Sequence, residues 1–80
     1  MRYEIHTRKP WQLNSVEFLA YPTFEAALTA LKGLQINYNR RANFDAPGNN
    51  LAEGVLTVYK NDEVYRSFFI TIKYEDKDKQ

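Results

Sequence analysis

Eighty residues with 11 Lys and Arg against 10 Asp and Glu carry a formal net charge of +1, which argues against the basic excess of a duplex-DNA binder and the acidic excess of a DNA mimic. The chain has no cysteine, so disulfides and thiolate metal sites are excluded, and a reducing, cytoplasmic setting is expected. No apolar run approaches the roughly 20 residues of a membrane span, and the length allows one small soluble domain, residues 1–74, followed by a charged, fraying tail, 75–80.

Met1, Tyr3, Ile5 and Thr7 alternate with Arg2, Glu4, His6 and Arg8, the period of a half-buried strand. Lys9-Pro10-Trp11 interrupts it, and Gln12 to Ser15 is polar enough for a turn. Val16 to Tyr21 then reads as a second strand, with Val16, Phe18 and Ala20 on one side and Glu17, Leu19 and Tyr21 on the other. Together they predict an N-terminal hairpin.

Pro22-Thr23 introduces a helix over Phe24 to Lys32. Thr23 is placed to accept a first-turn amide, Glu25 complements the positive helix end, and Phe24, Ala27, Leu28 and Leu31 make one narrow apolar face. Gly33 is expected to end the helix as a left-handed cap, with Leu34 folding back on Leu28. From Gln35 to Asn50 the periodicity fails. Ile36 and Tyr38 read as a stub of strand, and Ala46-Pro47-Gly48-Asn49 suits a type II turn. So long an irregular connection is uncommon in a compact domain and is often functional, which makes Tyr38, Arg40, Arg41 and Phe44 candidates for contact.

The most distinct signal is the C-terminal hairpin, Leu51 to Lys60, Asn61-Asp62, Glu63 to Tyr74, two runs of Val, Ile, Phe, Tyr and Thr around two residues that tolerate left-handed backbone. A two-residue loop gathers Val55, Tyr59, Val64, Phe68, Ile70, Ile72 and Tyr74 on one face. A three-residue loop, Asn61 to Glu63, shifts the pairing by one and places Leu56 and Val58 with Phe68, Ile70 and Ile72. The second is preferred because it unites the best aliphatics. In either register both faces carry large apolar groups, so a helix on one side and a partly exposed aromatic face on the other are expected. The fold class is α+β: a small antiparallel sheet of N-terminal and C-terminal hairpins with one helix on one face.

No chemistry stands out. His6 is the sole histidine, which rules out a multi-histidine metal site within one chain. Ser15 and Ser67 lie in no nucleophile-elbow context, and glycines 33, 48 and 54 are too scattered to cradle a phosphate. No catalytic residue, metal or cofactor is assigned, and the chain is read as not an enzyme.

Two binding classes remain. A protein-binding module would present Trp11, Tyr38, Phe44, Tyr59 and Tyr65 with Arg40, Arg41 and Arg66, the residue types that interfaces favour. The alternative is RNA or single-stranded DNA binding, with sheet aromatics stacking on bases and Arg66, Lys73, Lys60, Arg40 and Arg41 on phosphates. Against it, Arg66-Ser-Phe-Phe-Ile70 lacks the glycine of the RNA-recognition motif. Homodimerisation through the aromatic face is a third option.

A strand at Met1, a helix introduced by Tyr21-Pro-Thr-Phe-Glu-Ala-Ala-Leu28 and a hairpin ending in a charged tail together resemble small accessory proteins of phages and mobile elements, anti-CRISPR proteins among them. The resemblance spans the chain as architecture and matches no motif. It implies an inhibitor that blocks a host defence complex sterically, by occluding a protein surface.

Overall fold

The computed structural model describes residues 1–41, 44 and 48–74, with 48–50 as backbone only. Strand β1 (Arg2–Arg8) turns into β2 (Val16–Tyr21), and helix α1 (Phe24–Asn39) follows. After β3 (Gly48–Asn50) and a turn of 3-10 helix (Leu51–Glu53) come β4 (Val55–Lys60) and β5 (Glu63–Lys73). Every neighbouring pair is antiparallel, in the order β2-β1-β5-β4-β3. The expected α+β architecture is present, with the two hairpins joined through β1 and β5 and β3 added at one edge.

The C-terminal hairpin combines both candidate registers. Asn61 and Asp62 have positive φ, 54° and 66°, so the loop is a two-residue primed turn with Lys60 opposite Glu63 and Tyr59 opposite Val64. The preferred three-residue loop is therefore corrected. Continued unchanged, this register would set Leu56 and Val58 on the opposite face from Phe68. A bulge at Tyr65 shifts the pairing to Val58–Arg66 and Leu56–Phe68, the facing that the preferred register required. Misdirecting one such side chain costs about 1.5–3 kcal/mol, whereas a disturbed ladder hydrogen bond costs about 0.5–1.5 kcal/mol. Core facing therefore outweighs regular pairing.

The N-terminal hairpin has its own bulge. Ile5 faces Leu19 and His6 faces Glu17, leaving Phe18 as the extra residue, whose ring lies 6.2 Å from that of Phe68 between centroids. The expected division of β2 is thereby corrected: Phe18 joins Val16, Leu19 and Tyr21 on the helix side, and Glu17 and Ala20 take the other. The β1–β2 turn is held by Gln12 N–H to Lys9 O at 3.0 Å and by Lys9 N–H to Gln12 Oε1 at 2.7 Å.

The helix starts where the sequence places it, with Thr23 Oγ1 accepting the Ala26 N–H at 3.1 Å. Its end differs. Gly33 is an interior helical residue without positive φ, and α1 continues to Asn39, so neither the glycine cap nor the strand at Ile36 and Tyr38 forms. An interior glycine costs about 1 kcal/mol. Tyr38 outweighs it, because an aromatic side chain buries about 150–250 Å², worth about 4 kcal/mol or more at 25 cal/mol per Å². Ala27, Leu31 and Tyr38 close the core over Ile5, Leu56, Val58 and Phe68.

Of the expected type II turn, Ala46 and Pro47 lie outside the described residues, as does the tail 75–80, while Gly48 and Asn49 belong to β3. Gly54 has φ +76°, and a Cβ there would sit 3.2 Å from Ile70 Cβ and Cδ1. At Gly33 a Cβ would meet nothing within 4 Å. Gly33→Ala is therefore expected to stabilise the fold by about 0.5–1 kcal/mol, and Gly54→Ala to destabilise it by more than about 1 kcal/mol. Urea denaturation of the two variants checks both signs.

Candidate protein-binding surface

The C-terminal end of α1 and the β4–β5 turn meet in an aromatic cluster. Tyr38 lies 5.1 Å from Phe44 and 6.5 Å from Tyr65 between ring centroids, and Phe44 stands edge-on to Tyr65 at 5.0 Å and 84°. Tyr65 reaches this side because it is the bulged residue of β5. Such edge-to-face pairs contribute about 0.5–1.5 kcal/mol each beyond their burial.

Cations cover the cluster. Arg41 lies over Tyr38 at 4.7 Å and Phe44 at 5.7 Å. Lys60 lies over Phe44 at 5.5 Å and Tyr65 at 5.9 Å, and Arg66 over Tyr65 at 5.7 Å. Each contact is worth about 0.5–1 kcal/mol at an exposed site. Arg41 and Lys60 are exposed over the rings, and Arg66 is half-buried beside them. Arg66 Nε is buried, and no acceptor reaches it among the described residues.

Five of the sequence candidates thus come together: Tyr38, Arg41, Phe44, Tyr65 and Arg66. Tyr38 serves from beneath, since it is only 7% exposed. Arg40 is exposed at the helix cap, its backbone N–H donating to Asn37 O at 3.3 Å while that of Arg41 donates to Tyr38 O at 3.1 Å. Tyr59 pairs with Val64 on the sheet face away from the helix. Trp11, 72% exposed, sits in the β1–β2 turn under Lys9, whose ammonium is 5.4 Å from the ring.

Of the aromatics expected on the helix-free sheet face, Tyr59 and Phe69 lie there half-buried, whereas Tyr65 is on the helix side. By register the helix-free face presents Arg2, Glu4, His6 and Arg8 beside Ser67, Phe69, Thr71 and Lys73. Glu4 is 2% exposed. Its Oε2 accepts from Arg2 Nε at 2.9 Å and lies 2.7 Å from Arg2 Nη2, while its Oε1 accepts from His6 Nε2 at 2.9 Å. His6 Nδ1 is 3.0 Å from Ser15 Oγ, and its ring stacks on Phe69 at 5.8 Å. With Nε2–H given to Glu4, His6 Nδ1 is left to pair with the Ser15 hydroxyl. This chain satisfies a buried carboxylate. The network was legible only as the alternation of Arg2, Glu4 and His6 on one strand face; Ser15 arrives through the fold.

Comparison of the chain with protein-family models, with curated proteins and with solved structures gives no significant match. Among the described residues no group of His, Asp and Glu could hold a metal ion, and no helix is long and apolar enough to cross a membrane.

The hydrogen bond from His6, followed by Arg2 and the charge of Lys73, holds the Glu4 carboxyl below its ordinary value despite burial. A carboxyl lowered on folding adds stability above its unfolded pKa of about 4.3, and that stability is lost as pH falls through the folded value. Denaturation midpoints followed from pH 7 to pH 2 are expected to show this acid loss in the native chain. In Glu4→Gln the slope should flatten, from a lower plateau at neutral pH.

Proposed function

We propose that the chain is a non-enzymatic protein-binding module whose Arg41–Phe44–Lys60–Tyr65–Arg66 end docks on an acidic protein surface. The observation that carries this reading is the stacking of three cations on one ring cluster. Held on rings, these side chains lose less entropy when a partner carboxylate arrives, and Arg with Tyr is a combination that concentrates binding energy. The overall charge of +1 suits a local patch rather than long-range attraction to nucleic acid.

The alternative, RNA or single-stranded DNA stacked on the sheet, draws less support. Phe69 is stacked against His6, and Arg2, Glu4 and His6 occupy the middle of the helix-free face. The finer reading, a phage-type inhibitor that occludes a host defence complex of the CRISPR kind, draws on architecture alone and makes the cationic end its blocking surface.

A tagged chain incubated with its host's lysate, with and without nuclease, tests the proposal. A stoichiometric protein complex should survive nuclease, and Arg41→Glu with Lys60→Glu should weaken it by about 30-fold or more, a loss typical of central interface residues. Recovery of nucleic acid alone, with an affinity that falls steeply with salt, would instead establish the alternative. If the captured partner is a defence complex, its target binding with and without one equivalent of the chain decides whether capture amounts to inhibition.

A further inference from the structure

The two edges of the sheet are treated differently. Edge strands expose unpaired backbone donors and acceptors and are normally kept short, charged or covered. β3 follows that rule at three residues, Gly48-Asn49-Asn50. β2 does not: it runs six residues, Val-Glu-Phe-Leu-Ala-Tyr, with one charge, and residues 16–20 are all exposed. Beside it, Phe18, Leu19 and Tyr21 face Ala30, Gly33 and Leu34 of α1 across a groove of about 250 Å³. The groove is open where Gly33 contributes no side chain. Leu13, in the turn that precedes β2, is 93% exposed.

We propose that β2 is a self-association edge, on which a second copy of this chain pairs its own β2 antiparallel about a two-fold axis between Phe18 and Leu19. Two five-stranded sheets would then become one. The strand itself argues for a second copy over a foreign segment. Opposite residues of an antiparallel pair share a face, and the bulge sets Val16, Phe18, Leu19 and Tyr21 on the helix side with Glu17 and Ala20 on the other. Centred between Phe18 and Leu19, the pairing sets Val16 against Tyr21, Phe18 against Leu19 and Glu17 against Ala20 of the second copy. Every pair matches in face, and no carboxylate meets another. Moving the centre onto Phe18 or onto Leu19 mixes the faces, Val16 against Ala20 or Glu17 against Tyr21. The bulge therefore leaves one central register, and in it β2 is its own complement.

The absence of cysteine makes the register directly testable. In Glu17→Cys/Ala20→Cys the two thiols lie about 10 Å apart along one strand, beyond the roughly 7 Å that a disulfide spans, so bridging must be between copies. Mild oxidation is expected to convert this variant to a covalent dimer, while Val16→Cys/Ala20→Cys, matched to the shifted register, stays largely monomeric. Light scattering should give a dimer mass for the native chain and a monomer mass for Leu19→Lys with unchanged circular dichroism. Arg41→Glu should leave the dimer intact, which separates this edge from the cationic end. A monomer mass for the native chain at about 1 mM, where an association of about −4 kcal/mol would be half complete, would overturn the proposal. Equal bridging in the two double-cysteine variants would do so as well.

Discussion

The arrangement of this molecule depends on the alternation of a β-strand and on two places where it is broken. Side chains in a strand change face every residue, so a single extra residue inverts everything beyond it. Here the extra residues are Phe18 in β2 and Tyr65 in β5, both aromatic and both on the helix side. Each bulge lets a turn and a core with conflicting register demands be satisfied at once. In β5 the primed Asn61-Asp62 turn fixes one register, and the core contact of Leu56 with Phe68 fixes the other.

The same two bulges shape the two surfaces proposed to bind. Tyr65, displaced toward α1, completes the ring platform on which Arg41, Lys60 and Arg66 rest. Phe18, displaced toward α1 at the other side of the sheet, forms one wall of the apolar groove. A regular strand at either place would carry these rings to the helix-free face. That face is instead given over to Arg2, Glu4 and His6, where a buried carboxylate is satisfied on both oxygens. Burying a charge without such partners costs several kcal/mol, so this network constrains what else the face can do.

Much of the fold was legible in the sequence because it rests on local pattern: the alternation of β1, Thr23 before the helix, and the Val- and Phe-rich runs around Asn61-Asp62. The parts that were not legible are those in which a distant contact outweighs local preference. Gly33 reads as a helix end, yet burial of Tyr38 against Phe68, 30 residues away in sequence, carries the helix through it. The bulges leave no local mark, because the residue that shifts is chosen by the partner strand. Tyr38, Arg41, Phe44, Tyr65 and Arg66 were identifiable from residue type, and the fold unites them. Trp11 and Tyr59, chosen on the same grounds, are directed elsewhere, since composition says nothing about which side a residue faces. Glu4 and the β2 edge were missed for a similar reason: burial of a strand's polar side, and exposure of its apolar side, depend on what the rest of the chain places beside them.

The order β2-β1-β5-β4-β3 separates the two surfaces. The cationic platform belongs to β4, β5 and the end of α1, whereas the apolar groove opens at β2, two strands away from β5. In the proposed dimer the strand added at β2 leaves the platform free, and each copy carries its own platform two strands and more from the shared edge. Two equal sites held rigidly apart convert a second binding event into an intramolecular one, which strengthens attachment to a partner that repeats along a surface or assembly. An isolated acidic partner gains nothing from that geometry. The proposed dimer, with one cationic platform on each copy, is therefore best matched to a target that presents the proposed acidic surface more than once.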